Sequence, residues 1–227
     1  MLQFARKSPK LIIQKIGIVT NGIPTHIYIT KEKNVYLILS LKADLNNMKQ
    51  KILAICGSTR KDSSNLRIIQ TIAGLSSDIF EMEIFKGLHL LPHFNPDLDT
   101  DLPPDIVLQF RNQLIAADAV LICTPEYVFS LPGSLKNALE WTVSTTIFSG
   151  KPVAIITASG LGEKAHESLQ LIMKTLEAKM NNSTQLLISA ARASLNHAGE
   201  ITDEHLLLKI QELITALQEL IPAGSNS

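Results

Sequence analysis

The sequence predicts an α/β fold, a doubly wound five-stranded parallel sheet with helices on both faces. Two observations carry this reading. Short, continuous apolar runs recur five times after Met48, and each is followed by a stretch whose apolar residues have helical spacing. Continuous runs mark strands buried on both faces, as in a parallel sheet covered by its crossover helices. Right-handed crossovers then put helices on both sides, with ligands expected at the carboxyl ends of the strands near the point where strand order reverses.

The elements follow in order. Ile52-Leu53-Ala54-Ile55-Cys56 is the first strand, and Leu66, Ile69, Ile72 and Ala73 mark the first helix. The second strand, Ile79 to Phe85, precedes a helix entered at Pro103-Pro104 and carrying Ile106, Phe110, Leu114 and Ile115. Proline suits such an entrance, because the first helical turn has no partner for its N–H. Ala119 to Cys123 leads through Pro132-Gly133 into a helix with Leu135, Ala138, Leu139 and Thr142. Val153 to Thr157 precedes Leu169, Ile172, Met173 and Leu176. Leu186 to Ser189 precedes Leu206, Ile210, Leu213, Ile214 and Leu217, with Asp203 and Glu204 where the helix dipole favours negative charge. Residues 48–221 are expected to form this domain, with 222–227 as a frayed tail.

Residues 1–47 have a different character. No acidic residue occurs from Met1 to Lys31, while Arg6, Lys7, Lys10, Lys15 and Lys31 are basic. The apolar stretch at Leu11 is broken by Gln14 and Lys15, which argues against a secretory signal. The runs Leu11 to Val19, His26 to Thr30 and Val35 to Leu41, separated by turn-forming residues, suit a small β-meander. The alternative is translated upstream sequence, with Met48 as the start of the domain proper.

The chain has 227 residues, and its 21 Lys+Arg balance its 21 Asp+Glu, which leaves no net basic field for a nucleic acid. Hydrophobic residues make up 45% of the chain, enough for a substantial core, yet the apolar runs fall far short of the roughly 18 residues a membrane span needs. Neither nucleic acid nor membrane is an expected partner. Cys56 and Cys123 are the only cysteines and form no CxxC pair, so a disulfide scaffold is excluded and a reducing cytoplasm is the expected compartment. They end neighbouring strands and read as buried thiols. No metal site is expected, since Pro92 between His89 and His93 prevents a regular helix from presenting both to one ion. Neither a GxSxG elbow nor an HExxH motif is present.

Three loops at the carboxyl ends carry the chemistry. The first, Gly57-Ser58-Thr59-Arg60-Lys61-Asp62-Ser63-Ser64-Asn65, runs directly into a helix. Hydroxyls, an amide, a guanidinium and helix N-terminal N–H groups can there converge on one phosphate. It is neither a Walker A loop nor GxGxxG. The third strand leads into Thr124-Pro125-Glu126-Tyr127-Val128-Phe129-Ser130 and on to Trp141. In doubly wound order this loop shares a crevice with the first. The fourth strand ends in Ala158-Ser159-Gly160-Leu161-Gly162-Glu163-Lys164-Ala165, a GxGxxA match. The next strand lacks the acidic residue a dinucleotide site requires, so the match carries little.

Taken with His93 to Asp99, the first two loops resemble the NADPH-dependent FMN reductase family, a flavodoxin-like group that includes chromate, quinone and azo-dye reductases. The resemblance covers about residues 48–220. It implies that Ser58, Arg60, Ser63, Ser64 and Asn65 hold the FMN 5′-phosphate. It also implies that Pro125, Glu126 and Tyr127 pass along the isoalloxazine ring largely through backbone, with Val128, Phe129, Ser159 and Gly160 completing the cofactor site. The family usually has Asn-Gly where this chain has Val128-Phe129. Phe129 is expected either to cover the flavin or narrow the acceptor pocket, or to be a core or dimer-interface aromatic. The helix after Gly162 is expected to offer its N-terminus to the reduced flavin, and the helix of Leu139 and Trp141 to face a homodimer or homotetramer interface. The implied activity is FMN-dependent oxidation of NADPH or NADH with a quinone, chromate or similar acceptor, and no catalytic side chain is nominated. The alternatives are a flavin-binding electron carrier and a non-enzymatic phosphate-ligand binding module.

Overall fold

A computed structural model of the chain describes residues 14–20, 23–29, 49–191, 196 and 200–222. The chain divides into two compact units, residues 1–48 and 49–227. In the first, β1 (Gln14–Thr20) and β2 (Ile23–Ile29) pair antiparallel in the register Gln14 to Ile29 and Thr20 to Ile23. The run expected at Val35 to Leu41 and most of the tail lie outside the described residues.

The second unit is the doubly wound domain. Its strands are β3 (Gln50–Cys56), β4 (Phe80–Ile84), β5 (Ala119–Thr124), β6 (Val153–Ala158) and β7 (Gln185–Ile188). Its helices are α1 (Ser64–Leu75), α2 (Asp105–Ala116), α3 (Gly133–Glu140), α4 (Glu163–Thr175) and α5 (Glu204–Leu220). The sheet order is β4-β3-β5-β6-β7, parallel throughout. The chain runs outward from β3 to β4 and then returns to β5 on the other side of β3, so order reverses between β3 and β5.

Alternation along the strands divides the core. Ile52, Ala54, Leu121, Cys123, Ala154 and Ile156 pack with α1 and α5 on one face. Leu53, Ile55, Val120, Ile122, Val153 and Ile155 pack with α2, α3 and α4 on the other. The inner strands are apolar on both faces because both are covered. Edge strand β4 instead exposes Glu81 and Glu83 between Phe80, Met82 and Ile84, charges that keep an open edge from pairing with another chain.

Two features differ from expectation. The helix expected to include Thr142 ends at Glu140, because the Arg111 guanidinium takes the Trp141 carbonyl (Nε to O 2.8 Å) and the Thr142 hydroxyl takes that of Leu139 (2.8 Å). Trp141 and Leu139 are also not available to a partner. Both side chains are buried within the chain itself; the Trp141 indole donates to Pro92 O at 2.8 Å and meets Phe94 edge-on.

Candidate functional site

At the reversal point, above the carboxyl ends of β3, β5 and β6, lies a cavity of about 470 Å³. It is lined by the loop before α1 (Ser58, Arg60, Ser63, Ser64, Asn65), the segment after β5 (Pro125, Glu126, Tyr127) and the ends of β6 and β7 (Ala158, Ser159, Gly160, Ala190, Ala191). Of the twelve residues singled out from sequence, ten line this cavity; Val128 and Phe129 do not.

The loop before α1 is shaped by close approach. A Cβ on Gly57 would sit 2.4 Å from Thr124 Oγ1, so only glycine lets β3 turn into the loop beneath β5. Ser63 begins α1 in extended backbone and makes no side-chain cap bond. The unpaired N–H groups of the first helical turn are therefore left facing the loop. The loop's one carboxylate is tied to the helix's own arginine: Arg67 Nε donates to Asp62 at 3.1 Å, and this bond holds the Asp62 carboxyl below its ordinary range. Donors and positive charge thus gather at one end of the cavity.

Asn65 has a second task. Its Nδ2 donates to Ala158 O at 3.2 Å, and its Oδ1 accepts from the Cys123 thiol at 3.3 Å. The side chain thereby joins the first turn of α1 to β5 and β6. Cys123 and Cys56 are register partners on adjacent strands, and both are free thiols. Burial pushes both thiols up, Cys123 well above its ordinary value, so they are poor nucleophiles.

On the opposite side, Glu126 reaches across to the third loop, where its Oε2 accepts from the Ala165 N–H at 2.9 Å. Gly162, with φ of 95°, begins α4 without a side-chain cap of its own, and Glu126 supplies one from another strand's loop. The α4 N-terminus expected to face a ligand is in this way already engaged by a carboxylate. Behind it, His166 Nδ1 lies 2.9 Å from Thr157 Oγ1, and burial lowers the imidazole pKa.

Ala190 and Ala191 were not anticipated. Ala190 takes a left-handed φ of 52°, and the N–H groups of Ala190 and Ala191 donate to Gly160 and Ser159, both at 3.0 Å. The end of β7 thus hooks onto the third loop and forms a wall of small residues. Alanine carries no chemical signal; only its position after a strand's carboxyl end hinted at it.

Beyond Tyr127 the chain makes a two-residue hairpin. Tyr127 and Ser130 exchange backbone hydrogen bonds of 3.0 and 3.1 Å around Val128 (φ 51°) and Phe129 (φ 55°). Positive φ at both central residues is what a type I′ turn requires, and Asn-Gly is its favoured occupant. Here a β-branched and an aromatic residue hold that backbone, at a cost of order 1–3 kcal/mol each. Both side chains point outward, Val128 95% and Phe129 72% exposed, so Phe129 is not a core residue.

Among the described residues no cluster of His, Cys, Asp and Glu suits a metal, and no helix is long and apolar enough to cross a membrane.

Comparison with known proteins points one way. The sequence pattern of the NADPH-dependent FMN reductase family matches residues 50–193. An NAD(P)H-dependent FMN reductase of Pseudomonas aeruginosa is 35% identical, over 74% of this chain and 93% of its own. A 2-hydroxy-1,4-benzoquinone reductase of a Burkholderia species is 33% identical, over 69% of this chain and 88% of its own. Among solved structures, a flavoenzyme NAD(P)H:(acceptor) oxidoreductase from Paracoccus denitrificans is similar with TM-score 0.62 and 27% identity, covering 76% of this chain and 97% of the other.

Proposed function

The chain belongs to the NADPH-dependent FMN reductase family, and on that premise we propose that it binds FMN in the cavity at the β3/β5 reversal point and oxidises NADPH or NADH to reduce a small-molecule acceptor, a quinone, chromate or a similar compound. The observation that carries the proposal is the polarity of the cavity: uncapped helix N–H groups, serines and Arg60 on one side, and Pro125, Tyr127, Ser159, Gly160 and three alanines among the lining of the rest.

The residues present fit FMN. An uncapped α1 N-terminus beside Ser58, Arg60, Ser63 and Ser64 suits a dianionic phosphate, and Gly57 lets the backbone approach closely. Asn65, fixed to β5 and β6, orients that helix turn. Pro125, Glu126 and Tyr127 would border the ring on one side, with Ser159, Gly160, Ala190 and Ala191 on the other. When bound, FMN supplies two-electron chemistry, taking hydride from a nicotinamide and returning the electrons to a second substrate. The protein contributes placement to within about 3–3.5 Å, so no side chain need act as acid or base. We further propose a cytoplasmic homodimer or homotetramer and, for residues 1–47, an extension outside the reductase domain.

The test is an anaerobic absorbance spectrum of the purified chain with FMN, before and after NADPH or NADH. Bound flavin that bleaches supports the reductase, with ping-pong kinetics expected because both substrates use one open face. Bound flavin that neither nicotinamide bleaches indicates an electron carrier, and absence of bound flavin indicates a different phosphate ligand.

A further inference from the structure

Beside the polar lining of the cavity, exposed apolar side chains follow directly on lining residues in two of its loops. Tyr127 lines the cavity and the next two residues, Val128 and Phe129, stand outside it, 95% and 72% exposed. Across the mouth, Gly160 lines the cavity and the next residue, Leu161, is 62% exposed. The two loops that carry these side chains are tied together by the Glu126–Ala165 hydrogen bond. Large apolar residues therefore follow directly on lining residues at both sides of one opening. No core packing explains them. A strained left-handed backbone at Val128 and Phe129 holds the first pair outward where glycine or asparagine would sit with less strain.

We propose that Val128, Phe129 and Leu161 form an apolar rim that selects the electron acceptor, favouring flat rings with apolar substituents or a fused second ring over small hydrophilic oxidants and oxyanions. This rests on the reductase reading of the same site. The rim's continuity with the cavity commits it to a small ligand. An aromatic acceptor seated over the inner site would bury its outer edge against Phe129 and Leu161, whereas chromate or ferricyanide would gain nothing from either and would lose hydration beside them. The rim discriminates by this difference in contact, so its effect falls on relative acceptor efficiency.

The experiment compares the full-length FMN-loaded chain with the Val128→Asn/Phe129→Gly double variant and, separately, with Leu161→Ser. With NADPH saturating, kcat/KM is measured for a fused-ring naphthoquinone, unsubstituted benzoquinone and ferricyanide. The expected result is a fall of about tenfold in the ratio of naphthoquinone to ferricyanide efficiency in the double variant, a smaller fall in Leu161→Ser, and an intermediate response of benzoquinone. The rate of flavin bleaching by NADPH is followed in the same samples. An unchanged ratio in both variants, with bleaching intact, would overturn the rim while leaving the reductase standing. Failure of the unmodified chain to bleach with NADPH or NADH would overturn both.

Discussion

The Glu126 carboxylate accepts the Ala165 backbone N–H at 2.9 Å, so the loop after β5 caps the helix after β6. One side chain thereby sets the distance between two walls of the cavity. Glu126→Ala removes the cap and its charge at the helix N-terminus, which should cost about 1–2 kcal/mol. Glu126→Gln keeps an acceptor and should cost about half as much. Urea unfolding of the FMN-free chain measures the stability, and FMN titration should show weaker binding in the same order. Equal FMN affinity in both variants would separate the cap from the cavity.

Arg60 lines the end of the cavity where α1 begins. A charge-assisted hydrogen bond to a phosphate is worth roughly 1.5–3 kcal/mol, so Arg60→Ala should weaken FMN binding by about one to two orders of magnitude. Riboflavin, which lacks the phosphate, should bind the variant and the unmodified chain alike. Fluorescence titration with both flavins checks this, and an equal loss for riboflavin would assign Arg60 to the fold of the loop.

The parts legible in the sequence were those where a residue's local company decides its place. Ile52 to Cys56 reads as a strand because both of its faces are buried, and residues from Ser58 to Asn65 line the cavity because the loop follows directly on that strand's carboxyl end. Features set by distant residues were not legible. The end of α3 is decided by Arg111, 30 residues away. Trp141 is drawn inward by the Pro92 carbonyl and Phe94, which no spacing on its own helix reveals. Ala190 and Ala191 become cavity walls through a left-handed turn and two backbone bonds to the third loop. Val128-Phe129 was legible as a departure from the usual Asn-Gly, but not that the backbone turn survives the departure.

Arg111 and Asp99 form a buried ion pair at 2.7 Å, with side chains 11% and 6% exposed. Burial alone would raise the Asp99 carboxyl, but hydrogen bonds from Ser144 and Arg111 and the Arg111 charge outweigh it and hold the pKa below the ordinary value. A carboxyl depressed in the folded state stabilises the protein above the unfolded value of about 3.9, and that contribution is lost as pH falls through the folded value. Asp99→Asn should therefore cost about 3 kcal/mol at pH 7, where it strands the buried guanidinium. It should also flatten the fall in thermal midpoint as pH drops below about 4. Parallel pH profiles for variant and unmodified chain would count against the assignment.

The Tyr127–Ser130 turn makes a stability prediction of unusual sign for a change beside a binding site. Val128 and Phe129 hold φ of 51° and 55°, a region that asparagine and glycine enter readily. Relief of strain at about 1–3 kcal/mol per residue is partly offset by roughly 0.5–1 kcal/mol of added chain entropy from glycine in the unfolded state. The exposed side chains leave few contacts to lose. Val128→Asn/Phe129→Gly should thus raise the stability of the FMN-free chain by at least about 1 kcal/mol, read as a higher urea midpoint at unchanged slope. A lower midpoint would mean that the two side chains are packed in solution rather than held in water.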